Sequence, residues 1–98
     1  MERLTRQQLI QRLCERFQGT LDPTGEVDVR FPGGVIIAAA TLEEIPVAVQ
    51  RLKPLLGYRF LGIQRADLFT ASRATVQTKI GLLDENGSTV KAPDVKLR

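Results

Sequence analysis

The sequence predicts an α+β fold, a two-layer sandwich in which two helices pack on one face of a mainly antiparallel five-stranded sheet. The expected element order is α-β-β-α-β-β-β. Two segments combine a helix-capping signature with apolar residues at helical spacing, residues 26–31 alternate between apolar and charged side chains, and residues 75–97 have the pattern of a β-hairpin. The 98 residues form a single domain, 1–98, since no linker-like change in composition divides them.

The first helix is predicted from Thr5 onward. Thr5 and Gln8 have the spacing of a capping box, in which each side chain bonds the other residue's backbone N–H. The apolar side chains that then recur along one face are Leu9, Ile10, Leu13, Cys14 and Phe17. Gly19 ends the pattern, so we expect an amphipathic helix that packs on an apolar surface.

Two strands follow. Residues 26–31 place Val27, Val29 and Phe31 on one face and charged side chains on the other, which is typical of a half-buried strand. A Pro-Gly-Gly turn leads into residues 35–40, a continuous apolar run of strand length. This second strand is therefore expected to be central, or covered on both faces.

Thr41 and Glu44 form a second capping-box pair and predict the start of the second helix. Pro46 lies one turn beyond the cap, and Pro54 should end the helix near Lys53. We expect an irregular helix of about three turns.

Residues 58–63 predict a third strand with apolar side chains on both faces. Such a strand lies inside the sheet, or else its second face contacts a partner. The residues of this candidate oligomer or partner surface are Tyr58, Phe60, Leu61 and Ile63. The pattern leaves open whether the strand joins the first strand in antiparallel fashion or the second in parallel.

The last two strands, residues 75–83 and 89–97, are predicted to form a hairpin across Glu85-Asn86-Gly87. A three-residue loop with a left-handed Gly87 joins the inward-facing rows of the two strands better than a two-residue turn. The cross-strand pairs expected from this loop are Leu82 with Val90 and Ile80 with Ala92. Pro93 has no N–H to donate, so the last strand is expected at the edge of the sheet.

The chain contains no histidine. This excludes imidazole acid–base catalysis, Ser-His-Asp and Cys-His nucleophiles, and most zinc, iron and copper sites. Cys14 lies on the apolar stripe of the first helix, where a small buried side chain is expected. The aspartates Asp22, Asp28, Asp67 and Asp84 lack the spacing of a calcium loop. We therefore expect no cofactor and no metal.

The net charge of +3 is unevenly distributed: residues 1–50 carry −2, and residues 51–98 carry nine Lys or Arg against four acidic residues, or +5. A basic half favours an acidic partner, and nucleic acid is the alternative that this observation supports. The candidate nucleic-acid contacts are Arg59, Arg65, Arg73, Lys79 and Lys91.

The leading hypothesis is a non-catalytic protein-interaction module that forms a homo-oligomer or binds an unidentified protein partner. The alternative is a nucleic-acid-binding accessory protein that uses the basic C-terminal half, and the second alternative is a small enzyme with carboxylate or lysine chemistry. The N-terminal residues lack the apolar stretch of a secretory signal, and the longest apolar run, Val35 to Ala40, is too short for a membrane helix. We expect a cytoplasmic protein without a membrane partner.

Overall fold

The computed structural model describes residues 3–95 and residue 97. Across these residues the protein has an α+β fold with one six-stranded sheet and three α-helices. The elements in chain order are α1 (Arg6–Arg16), β1 (Thr20–Leu21), β2 (Val29–Phe31), β3 (Gly34–Ala39), α2 (Glu44–Leu52), β4 (Arg59–Ile63), a 3₁₀ turn (Arg65–Asp67), α3 (Leu68–Ala74), β5 (Gly81–Leu83) and β6 (Thr89–Lys91).

The sheet is mixed, and its strands lie side by side in chain order, β1 to β6. β1, β2 and β3 pair in antiparallel fashion, β3, β4 and β5 are parallel, and β6 returns antiparallel to β5. The prediction of a mainly antiparallel five-stranded sheet is corrected here. Helices α2 and α3 each carry the chain back across the sheet, and such a crossover makes the flanking strands parallel.

The helices cover both faces of the sheet, so the predicted two-layer arrangement is also corrected. Ile36 and Ala38 of β3 share a core cluster with Leu9 and Leu13 of α1. The alternate residues Ile37 and Ala39 belong to a second cluster with α2 and α3. Because successive strand residues point to opposite faces, α1 lies on one side of the sheet and the other two helices lie on the opposite side.

Local sequence signals fix the helix starts. The Thr5–Gln8 capping box forms as predicted, with both reciprocal hydrogen bonds present. At α2 the Thr41 hydroxyl accepts from the Glu44 N–H at 3.3 Å, but the Glu44 carboxylate accepts from the Ala40 N–H at 2.9 Å instead of from Thr41. Pro46 is accommodated in the first turn of α2, where its missing N–H leaves no helical hydrogen bond unmade.

The C-terminal hairpin is shorter than predicted: residues 75–78 lie in turns after α3, β5 spans Gly81–Leu83, and β6 spans Thr89–Lys91. Its loop is as predicted: Asp84 and Ser88 close three residues, and Gly87 is left-handed with φ +80°. The predicted register is wrong. Leu82 lies opposite Lys91 and Leu83 opposite Thr89, so a bulge at Val90 displaces the pairing by one residue. β6 is an edge strand as expected, and Pro93 follows it.

β4 lies at the centre of the sheet with every one of its five residues buried. Phe60 contributes to the core beneath α1, and Leu61 and Ile63 contribute to the core beneath α2 and α3. Gly62 has no room for a side chain, since a Cβ there would collide with Leu13 of α1. No helix in residues 3–95 is both long enough and apolar enough to span a membrane.

Candidate functional site

The parallel strands give the sheet two unlike edges. At the carboxyl-end edge, where β3, β4 and β5 finish, β1 also ends and β2 begins. Ligands of α/β proteins commonly bind at the carboxyl ends of parallel strands, so this edge is the first place to look for a site. The four aspartates that follow or precede these strands lie along this edge: Asp22, Asp28, Asp67 and Asp84. Their separation in sequence gives no indication that they share it.

Each of these four aspartates is neutralised by an arginine. The ion pairs are Asp67 with Arg3 at 2.5 Å, Asp28 with Arg6 at 2.6 Å, Asp84 with Arg65 at 2.8 Å, and Asp22 with Arg30 at 3.3 Å. The four aspartate side chains are between 1% and 11% exposed. Buried carboxylates need such partners because an unpaired buried charge is strongly unfavourable.

Two of the aspartates also hold loops. Asp84 accepts backbone N–H bonds from Asn86 at 2.9 Å and Ser88 at 3.0 Å, which shapes the β5–β6 loop. Asp22 accepts the Val27 N–H at 3.0 Å, and this bond, helped by bonds from Thr24 and Arg30, holds the pKa of the Asp22 carboxyl well below its usual value against the opposing effect of burial. Hydrogen bonds to the ionised form favour ionisation.

Gln64 completes the network at the carboxyl-end edge. Its side-chain amide accepts from the Leu4 N–H at 2.8 Å and donates to the carbonyls of Leu4 at 3.0 Å and Ala40 at 2.8 Å. Arg3 donates to the same Ala40 carbonyl at 2.7 Å. The edge is thus occupied by the N-terminal segment, and no group of three potential ligands among the described side chains is arranged to hold a metal ion.

The opposite, amino-end edge carries a groove of about 440 Å³. It lies where α2 ends, β4 begins and the chain approaches β5. The described residues that line it are Lys53, Arg59, Gln77, Thr78, Lys79 and Leu97. Three of these described side chains are cationic and none is a carboxylate.

Arg59, the first residue of β4, is the central element of this groove. It is only 3% exposed. Its Nη1 donates to the carbonyls of Leu52 at 3.1 Å and Lys53 at 3.2 Å, at the C-terminal end of α2, while its Nε is buried without a hydrogen-bond partner. Burial lowers the pKa of Arg59, but a guanidinium stays protonated in proteins. Arg59 makes no ion pair with any carboxylate in the described residues, so only the helix-end carbonyls compensate its charge.

The loop that brings Lys79 to the groove is held by its own hydrogen bonds. The Thr78 hydroxyl donates to the Thr75 carbonyl at 2.6 Å and accepts from the Ile80 N–H at 3.2 Å. Gln77 adopts a left-handed φ of 62°, an uncommon conformation for a residue other than glycine. These constraints place the exposed Lys79 beside Arg59 without a large loss of backbone freedom on binding.

Of the five predicted nucleic-acid contacts, the fold brings only Arg59 and Lys79 into one groove. Arg65 lies at the opposite edge, paired with Asp84, and Arg73 stacks over the Phe69 ring of α3 at 5.8 Å. Lys91 is half-buried and its Nζ donates to the Thr75 carbonyl at 2.8 Å, and burial lowers its pKa. Lys53 also lines the groove, although it is not among the predicted nucleic-acid contacts. Its position at the end of α2, before Pro54, is the feature of the sequence that could have indicated this.

Of the residues predicted to form an oligomer or partner surface, three are buried and one is exposed. Phe60, Leu61 and Ile63 are 9%, 0% and 0% exposed and form part of the core, so they are not accessible to a partner while the domain is folded. Tyr58, at the start of the strand, is 47% exposed. Formation of a homo-oligomer or a complex with another protein stays a prediction.

Comparison of this chain with models of protein families, with curated proteins and with solved structures finds no match.

Proposed function

We propose that this protein is a non-catalytic binding protein that holds a nucleic-acid strand by phosphate contacts at the amino-end groove. The observation that carries the proposal is the buried guanidinium of Arg59, which has no carboxylate partner among the described residues and whose Nε lacks a hydrogen-bond partner, in a groove that the exposed Lys79 also lines. We also propose that the protein acts in the cytoplasm, as expected from the sequence.

The chemistry of the groove suits a phosphate. A guanidinium donates charge-assisted N–H bonds to phosphate oxygens, and a lysine ammonium adds a compact charge. Because Nη1 of Arg59 is bonded to carbonyls and its Nε is buried, Nη2 is the donor left for a ligand. Arg59 is held in place by the Leu52 and Lys53 carbonyls, so little side-chain freedom remains to be lost when an anion binds.

The distribution of charge over the chain supports the same partner. The net charge is +3, and the half of the chain that supplies the groove carries +5. Such a field attracts polyanions over a distance of about a Debye length, and the attraction weakens as salt is added.

The proposal is tested by fluorescence anisotropy with a labelled single-stranded oligonucleotide at several salt concentrations. Lys79→Glu reverses a charge at the groove and should weaken binding by at least about tenfold and flatten the salt dependence. The matched control is Arg12→Glu, which makes the same change in net charge on α1, beside the carboxyl-end edge. This control should change the affinity by less than about threefold.

Both variants replace exposed side chains, so both should keep the circular-dichroism spectrum and melting temperature of the parent protein. The proposal fails if the parent protein shows no binding at low salt. It also fails if Arg12→Glu and Lys79→Glu weaken binding equally, because the groove would then have no special role.

A further inference from the structure

Tyr58 is an exposed aromatic side chain directly before Arg59 in the chain. It is 47% exposed, and in the described part of the chain its side chain makes no hydrogen bond and no contact with another ring. Of the four residues that the sequence predicted for a partner surface, it is the one that the fold leaves accessible. Proteins that hold a single nucleic-acid strand combine phosphate contacts with aromatic side chains on which bases stack, and Tyr58 is available for the second of these.

The fold places Tyr58 on the side of the sheet opposite the groove. Alternation along the strand puts Tyr58 with Phe60 toward α1, whereas Arg59 lies between them and bonds to the C-terminal end of α2. The α-carbons of Tyr58 and Arg59 are only about 3.8 Å apart, as in any pair of consecutive residues. A strand that crosses the amino-end edge at this point can therefore place a phosphate against Arg59 and a neighbouring base against Tyr58.

The backbone of Tyr58 is fixed by the neighbouring strand β3. Its carbonyl accepts the Val35 N–H at 3.2 Å, and Gly34 lies so close that a Cβ there would collide with the same carbonyl. Gly34 also pairs with Phe31 of β2, so this glycine contributes no side chain between Phe31 and Tyr58. With its backbone held, Tyr58 has only two side-chain dihedral angles to order when a base stacks on it.

One other aromatic side chain of the described residues is largely exposed, Phe69 at 73%. It lies in the first turn of α3, the helix that begins after the chain has left the carboxyl-end edge, and Arg73 stacks over its ring at 5.8 Å. Phe69 is thus an exposed aromatic residue that does not adjoin Arg59 in the chain and already has a partner. It provides a matched control for Tyr58.

We propose that Tyr58 stacks on an unpaired base, and that the protein thereby selects single-stranded over double-stranded nucleic acid. This inference rests on the function proposed above and deepens it. The bases of a duplex are stacked on one another, whereas those of a single strand are free to stack on an aromatic side chain. Phosphate contacts do not by themselves favour the single strand, because a duplex carries its phosphates at higher density. Stacking tolerates any base, since every base has a π face.

The test uses the full chain and two strands of equal length, an oligothymidylate and a strand whose sugars carry no bases, so that both present the same phosphates. We expect the oligothymidylate to bind about tenfold more tightly than the strand without bases. Tyr58→Leu should remove this difference, while Tyr58→Phe and Phe69→Leu should preserve it. All three variants change exposed side chains, so their circular-dichroism spectra should match that of the parent protein. A duplex of the oligothymidylate with its complement should bind more weakly than the single strand.

Tyr58 also reports on its own stacking, because the chain has one tyrosine and no tryptophan. A base stacked on the ring quenches its excited state, so the fluorescence lifetime should shorten on saturation with oligothymidylate. The strand without bases should leave the lifetime unchanged. The lifetime is measured in preference to the intensity because absorption of light by the oligonucleotide does not alter it.

The outcomes separate this inference from the proposed function. Equal affinity for strands with and without bases, or a Tyr58→Leu variant that weakens binding of both strands equally, overturns the stacking role and leaves the phosphate contacts standing. A duplex that binds as tightly as the single strand overturns the selectivity. Failure of every strand to bind at low salt overturns both proposals.

Discussion

At the carboxyl-end edge of the sheet, four aspartates with side chains no more than 11% exposed each bind an arginine. At the amino-end edge, the buried Arg59 bonds, within the part of the chain that the structure describes, only to backbone carbonyls. Both edges are rich in charge. They differ in whether the chain neutralises that charge itself. A carboxylate that accepts hydrogen bonds from an arginine and from backbone N–H groups stabilises the fold. A cation without a carboxylate partner can still bind an anion from solution.

The comparison runs against the usual arrangement in sheets with parallel strands, where the carboxyl ends are the common place for ligands. Here Arg3 and Gln64 bind the N-terminal segment across that edge. Among the described residues, the buried cation without a carboxylate partner lies at the other end of β4, at Arg59. The proposed site therefore follows the location of an unsatisfied buried group and not the direction of the strands.

The largest effect is expected from Leu61→Asp, because β4 supports both edges. Leu61 is fully buried in the central strand, and an unpaired carboxylate there should destabilise the domain by more than about 4 kcal/mol and unfold it. Circular dichroism and thermal melting provide the measurement. The control is Tyr58→Asp at the exposed start of the same strand, which should change stability by less than about 1 kcal/mol. A folded Leu61→Asp protein with altered mass would instead support the partner surface expected from the sequence.

The next effect concerns the carboxyl-end edge. Asp84→Ala leaves two loop N–H groups and Arg65 without their acceptor, so the free energy of unfolding should fall by about 2 kcal/mol in chemical denaturation. Asp94→Ala provides the comparison, since among the described residues that exposed carboxylate accepts only from its neighbour's N–H, and its loss should cost less than about 0.5 kcal/mol. Similar losses for the two variants would show that the carboxyl-end network contributes little.

The pairing at the carboxyl-end edge also predicts a pH dependence. The pKa of Asp22 is held below its usual value in the folded protein, chiefly by the Val27 N–H, so its ionised form stabilises the fold above the unfolded pKa of about 3.9. That contribution is lost as pH falls toward the folded pKa. Asp22→Asn should therefore be less stable than the parent at pH 7, with the gap narrowing below about pH 4. Denaturation curves with a constant gap between pH 7 and pH 3 would contradict this.

The smallest effect on stability is expected at the amino-end edge. Arg59→Met removes a buried charge together with its bonds to two carbonyls, and these losses oppose the gain from avoiding desolvation, so stability should change by about 1 kcal/mol or less. Phosphate binding should nevertheless be lost. Arg65→Met at the other edge leaves the buried Asp84 without its arginine, and it should cost more stability while leaving binding unchanged. If Arg59→Met lowered stability more than Arg65→Met, and Arg65→Met abolished binding while Arg59→Met did not, the proposed difference between the two edges would be wrong.

Several features of the fold follow from signals within short segments. The capping box at Thr5, the apolar run that becomes β3 and the left-handed Gly87 in the hairpin loop each depend on neighbours in sequence. The pattern of β4 indicated a strand covered on both faces, although it left open whether the chain itself or a partner supplied the second layer.

Features that depend on distant contacts could not be predicted. α3 has seven residues, one of them fully buried, and no side-chain cap, so its sequence carries little helical signal. Without α3 the parallel pairing of β4 and β5 was missed as well. The third layer was missed because the sequences of α1 and α2 do not show that these helices pack on opposite faces of the sheet. The uneven charge indicated a basic surface, but Arg59 and Lys79 meet only through the fold, and the same fold removes Arg65 to the opposite edge.

The most direct test of the proposed binding follows the side-chain Nε–H signals of Arg59 and Arg65 by nitrogen-15 NMR during titration with the single-stranded oligonucleotide. Both arginines are observed in the same sample, one at each edge. We expect the Arg59 signal to shift and saturate with binding while the Arg65 signal stays in place. An Arg65 signal that shifts while Arg59 does not, or two unmoved signals at saturating oligonucleotide, would contradict it.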